Sequence, residues 1–206
     1  MAQNTNLIEI PAFFSGRIKK NIIFNASGLK IEKTRSFDFP VEIANEDIVS
    51  FRYGVNWITG YQFTIGRQYV IELLDTKKQV TSIKLTSYYQ VKRKRYYQLY
   101  ADIINRLWAN YFAEKLNDYY DLYKKKAEFK VSDVNFHPFG ISWYDGGMFW
   151  NEIALSNYVT YFMIHKRDDL KKPKRCSFKN DWDALLLQVL LKKIIEEQDA
   201  YLKAAN

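Results

Sequence analysis

The side chains best placed to do chemistry are cationic. Lys92, Arg93, Lys94 and Arg95 form an unbroken basic run, and Lys19, Lys20, Lys33 and Arg35 supply two further basic pairs earlier in the chain. Ammonium and guanidinium groups at this density make charge-assisted hydrogen bonds to phosphates or carboxylates, with the guanidinium fork also able to bind in bidentate fashion. These eight residues are the candidate site for an anion or a charged partner. The competing account is a solvated helix start whose aliphatic stems cover a sheet edge, and for Lys92 to Arg95 the residues alone favour it.

Other chemistries find little footing. His137 and His165 stand far apart, one before Pro138 and one at the end of an apolar run, in no H-E-x-x-H or Cys/His array. The single cysteine, Cys176, excludes an intrachain disulfide and reads as a small buried hydrophobe. Asp168 and Asp169 lie in a Lys-rich stretch, Asp181 and Asp183 suit a helix N-terminus, and Glu196 and Glu197 suit a polar helix face. Asp145-Gly-Gly147 is turn chemistry, and no glycine-rich phosphate loop is present. The expectation is a non-enzymatic protein without cofactor or metal.

The elements that must position the basic groups are read from periodicity. The chain has 206 residues, 17% of them aromatic, with 8 Gly and 4 Pro, a composition that favours strands over disorder. Short apolar runs at 18–24, 29–37, 48–53, 61–65, 68–74 and 80–85 are separated by turn residues, such as Asn25 to Gly28 and Asp75 to Lys78. The period then lengthens. Tyr96, Tyr100, Ile103, Leu107 and Tyr111 recur every three or four residues, and Ser87 with Gln90 fits a capping box. A helix is expected over 88–126, with a break near Asn117 if it does not run through. Strand signals return at 130–136, 141–144, 149–153 and 158–165, with 166–174 as a basic loop and 176–178 as a last short strand. A helix capped by Asn180 or Asp181 closes the chain, carrying Leu185, Leu186, Val189, Leu190, Ile194 and Ile195.

The halves align with each other. Phe24 to Ile31 matches Phe136 to Trp143 at the Phe, the turn glycine and the two apolar positions after it. Asn45-Glu-Asp-Ile48 faces Asn151-Glu-Ile153, and Ser82 to Leu85 faces Arg175 to Phe178. This order predicts two domains, 1–126 and 127–206, each a run of strands closed by one helix. Their charges differ: 20 basic against 12 acidic residues in the first, 11 against 11 in the second, so the first carries the whole +8.

Strand, Gly turn, strand, then Ile43-Ala-Asn-Glu-Asp-Ile48, further hairpins and a C-terminal helix resemble the pleckstrin-homology-like (PH-like) fold. Gly140-Ile-Ser-Trp143 and Trp150-Asn-Glu-Ile153 are similar to its bacterial type. The resemblance implies an α+β protein of two PH-like units, each an antiparallel barrel or sandwich capped by a helix. It further implies a binding scaffold rather than an enzyme. In lipid-binding members a first-strand Lys and a [K/R]-x-R grip phosphates, and Lys20 with Lys33 and Arg35 match that pattern loosely, whereas the second half lacks it. A protein partner or a second copy of the chain is the first expectation. Anionic lipid, then nucleic acid through a Tyr-rich helix tail, follow. The opening residues show no secretory pattern and the longest apolar stretch is far below the ~20 residues that span a bilayer, so a cytoplasmic location is expected.

Overall fold

Alternating apolar and polar residues build the first sheet. Strands β1 (Leu7–Pro11), β2 (Ile18–Asn25), β3 (Gly28–Lys33) and β4 (Val41–Ala44) pair antiparallel in that order in the computed structural model, which describes residues 6–12, 18–25, 27–33 and 39–204. Ile8, Ile10, Ile22, Phe24, Leu29, Ile31 and Ile43 are buried. Their two-residue spacing puts them on one face. Lys30 pairs with Glu32 and Glu42 on the other. A three-ten turn, Asn45–Asp47, leads into a three-stranded sheet of β5 (Ile48–Gly60), β6 (Phe63–Asp75) and β7 (Val80–Tyr88).

Helix α1 (Arg93–Leu107) lies against both sheets of this unit. Tyr100 sits 5.1 Å from Tyr69 and 6.1 Å from Tyr53, ring centre to ring centre, and the Tyr96 hydroxyl donates to the Pro11 carbonyl at 3.0 Å. Tyr96, Tyr100, Ile103 and Leu107 are buried, the stripe that their spacing predicts. The start of the helix differs from expectation. Ser87 is the β7 partner of Arg67, its hydroxyl donates to the Val91 carbonyl, and no capping box forms with Gln90. Strand pairing claims the segment through Tyr88, and positive φ at Tyr89, Gln90 and Lys92 turns the chain before the first helical residue. At the other end, no break occurs near Asn117. A π turn, Trp108–Phe112, is followed by α2 (Ala113–Lys124).

The second unit repeats the order. Strands β8 (Phe129–Val131), β9 (Val134–His137), β10 (Gly140–Trp143) and β11 (Gly146–Phe149) form a four-stranded sheet. The turn Trp150–Glu152 then leads to β12 (Ile153–Asn157), β13 (Tyr161–Lys166) and β14 (Asp169–Ser177), a three-stranded sheet. The basic stretch expected as a loop is therefore mostly strand, with the turn confined to Arg167 and Asp168. Helix α3 (Ala184–Ala204) buries Leu186, Leu187, Leu190, Leu191 and Ile194. Asp181 does not cap it: its carboxylate accepts the Ser177 amide, and Asp183 precedes the first helical residue.

Matching bonds mark matching places. The Asn45 amide donates to the Ser27 carbonyl at 3.2 Å, and the Trp150 amide to the Phe139 carbonyl at 3.1 Å. The Thr76 amide donates to the Asp47 carbonyl at 3.0 Å, and the Arg167 amide to the Glu152 carbonyl at 2.8 Å. In each unit the three-ten turn is thus tied to the hairpin between the second and third strands on one side and to the end of the middle strand of the three-stranded sheet on the other.

The fold is α+β with four antiparallel sheets, and none of them closes into a barrel among the described residues. The chain divides into units Met1–Tyr111 and Phe112–Asn206, earlier than the expected boundary after residue 126. The reason lies in α2. Tyr119 stacks on Phe129 at 5.5 Å, Tyr123 meets Trp150 edge-on at 5.3 Å, and the Tyr120 hydroxyl donates to Glu197 at 2.7 Å, all within the second unit. By this division the first unit holds 16 basic and 9 acidic residues and the second 15 and 14, so +7 and +1 replace +8 and zero.

Candidate binding surface

The eight predicted basic residues meet different fates. Lys19 lies in β2 and Lys33 in β3, Lys20 is the register partner of both Ile10 and Lys33, and Arg35 lies outside the described residues. Lys92 reaches back to donate to the Ala12 carbonyl at 2.7 Å, one residue past β1. The pairing of β1, β2 and β3 brings Lys20 and Lys33 to one end of the first sheet, and the bond to Ala12 brings Lys92 to the same end. The Lys92 ammonium serves a backbone carbonyl there, as a stem covering a sheet edge would. Arg93, Lys94 and Arg95 stand exposed on the first turn of α1.

A feature absent from the sequence reading lies at the far end of the second sheet. Strands β5 and β6 pair beyond the reach of β7: Gly66 faces Tyr88, whereas Thr59–Thr64 and Gly60–Phe63 continue without a third strand. This end exposes Trp57 to 59%, Tyr61 to 100%, Phe63 to 64% and Tyr89 to 73%. Trp57, Arg67 and Ser87 form one row across the three strands, next to the row Val55, Tyr69 and Leu85. Tyr97 of α1 packs on Tyr69 at 6.2 Å, so the helix covers the second row. The first row borders a groove of about 520 Å³ with Phe63, Ile65, Tyr89 and Gln90.

Two arginines on this sheet differ in what they hold. On the outer face Arg52 donates to Glu72 at 2.7 Å, and Glu72 also accepts the Ser82 hydroxyl at 3.2 Å. On the groove face Arg67 lies over the Trp57 ring at 4.5 Å, a cation–π contact, and has no carboxylate partner among the described residues. Residues 54–71 and 85–101, which build this end, contain no Asp or Glu. That is the signal in the sequence that could have located the surface.

The second unit holds arrangements that mimic catalysis. His137 Nε2 lies 2.8 Å from the Ser142 hydroxyl and Nδ1 lies 3.3 Å from Glu128. This is the order of a serine–histidine–acid relay. Ser142, however, is in mid-strand, facing Asn135 on one side and Gly147 on the other. The amides around it are committed to strand pairing, which leaves no pair of donors for a developing oxyanion. His165 Nδ1 donates to the Lys166 carbonyl at 2.8 Å, so Nε2 accepts the Ser156 hydroxyl at 2.9 Å. Both histidines join neighbouring strands. Burial pushes the Cys176 thiol up to about 12, away from the thiolate that nucleophilic chemistry needs.

The basic residues of β14 have a mechanical reading. Lys171, Lys172, Pro173 and Lys174 lie on an edge strand, where charge and proline block pairing with another chain. Lys174 is paired with Asp133, and Arg175 lies over Tyr161 at 4.0 Å. Among the described residues no group of three His, Cys, Asp or Glu is placed to hold a metal ion, and no helix is long and apolar enough to cross a membrane. No protein-family model matches the chain, and no curated protein matches it.

Proposed function

We propose that the protein is a non-enzymatic binding module of two PH-like units, acting in the cytoplasm, whose first unit docks a protein partner at the end of the β5–β6–β7 sheet. The observation that carries this reading is the outward display of Trp57, Tyr61, Phe63 and Tyr89 around one groove. Exposed aromatics gathered in one place are unfavourable in water and are characteristic of interaction sites. The PH-like reading is supported by the order that both units share: four antiparallel strands, a three-ten turn, three more strands and a helix. A single buried cysteine fits a reducing compartment.

The test replaces Trp57, Phe63 and Tyr89 together by Ser. These side chains are exposed, so the fold is retained, and circular dichroism checks that it is. The wild-type protein is expected to form a complex, with a partner from its own cell extract or with itself, that the triple variant loses. A wild-type protein that sediments as a monomer and co-purifies with the same proteins as the triple variant overturns the reading.

A further inference from the structure

We infer that the partner segment seated on this face is acidic, pairing a carboxylate with Arg67 while an apolar side chain enters the groove beside Phe63 and Tyr89; the inference rests on the docking reading above. Arg67 is half-buried, and its guanidinium carbon lies over the Trp57 indole, 4.5 Å from the ring centre. A contact through the ring face limits where the guanidinium can move and uses none of its N–H donors. Arg52, three rungs from Val55 and so on the opposite face, shows what this sheet does with an arginine that has its own acid, since Glu72 takes its Nε at 2.7 Å. Among the described residues no carboxylate pairs with Arg67 on the groove side. Residues 54–71 and 85–101, which build this end, hold five basic residues and no carboxylate, including the exposed Arg93, Lys94 and Arg95 that follow Tyr89.

The charge complement of such a face is negative, and the groove adds the requirement for an apolar anchor. A concave seat of about 520 Å³ with aromatic walls fits a side chain better than it fits a flat bilayer. The Trp57 face that would stack a nucleobase already carries Arg67. These two facts favour an acidic polypeptide over a lipid surface or a nucleic acid.

The experiment measures fluorescence anisotropy of a short Glu- and Asp-rich peptide carrying one Leu and one Phe. A matched peptide with Gln and Asn in place of the acids, a single-stranded thymidine oligonucleotide, and vesicles with and without anionic lipid form the other arms. The acidic peptide is expected to bind saturably and to weaken about tenfold between ~50 and ~200 mM salt. The amide peptide is expected to bind at least about tenfold more weakly, and Arg67→Ala to lose about tenfold for the acidic peptide only. Arg67→Lys keeps the charge without the fork, guards against a misfolded Ala variant, and is expected to fall between. If both peptides bind equally, the preference for acid is overturned while docking of a polypeptide stands. If neither peptide binds, the inference is overturned, and binding of oligonucleotide or vesicles in that case overturns the docking reading as well.

Discussion

Gly28 and Gly140 open β3 and β10, the same strand in each unit, and both are fixed by what passes beside them. A Cβ on Gly28 would lie 2.2 Å from the Ile43 carbonyl oxygen, and one on Gly140 would lie 2.0 Å from the Met148 carbonyl oxygen. Both obstacles are backbone of the next strand, which cannot give way as a side chain does. Gly28→Ala and Gly140→Ala are each expected to cost about 2 kcal/mol or more in denaturant unfolding. Gly60→Ala, whose nearest neighbour is the Ile65 side chain, should cost less than ~1 kcal/mol. Equal effects at all three positions would show that close approach is not the reason for these glycines. The two glycines were legible in the sequence as turn residues. That they admit the backbone of the following strand was not, because this approach is set by the β3–β4 and β10–β11 pairing.

At the scale of elements, α1 was the most legible and its ends the least. Apolar residues at three- and four-residue steps define a face wherever the helix starts, so Tyr96, Tyr100, Ile103 and Leu107 were found. The Ser87–Gln90 pattern was misread because a strand can end on the same residues when Arg67 pairs with Ser87. Strand β1 escaped notice, being five residues long and stabilised by its pairing with β2. Ile103 is fully buried under this helix, and Ile103→Ala is expected to destabilise the fold by about 3 kcal/mol. Gln98→Ala, on the exposed side, should change stability by less than ~0.5 kcal/mol. Thermal or denaturant melting of the two variants checks the face; similar melting would place the core elsewhere.

Across the whole molecule the aromatic residues are the shared resource, and they are unevenly tuned. Burial pushes the phenols of Tyr53 and Tyr111 up to about 12 and that of Tyr100 further still. All three belong to the first unit. Below pH ~10 these phenols are neutral whether the chain is folded or not, and they leave stability unchanged. Above pH ~10 the unfolded chain ionises its tyrosines while the folded one holds these neutral, so stability falls as pH rises further. Phenolate absorbance is expected to rise in two stages. The buried set should ionise only as the first unit unfolds, giving a late stage of its own above pH ~10. A single transition for all tyrosines near pH ~10 would contradict the burial of this cluster.

The sequence by itself determined the order of the chain: strands, a helix, strands and a helix again, with a positive first part. Local periodicity, turn glycines and charge counts carry that information without any long-range contact. Only the tertiary structure decided where the first unit ends, because α2 is assigned by the aromatic partners Phe129 and Trp150 that it meets. It also decided which aromatics face water. Trp57 and Tyr69 look alike as strand residues, yet α1 reaches the row of Tyr69 and stops short of the row of Trp57. Whether a side chain becomes core or binding surface is set by what packs above it, and that neighbour is not written in its own segment.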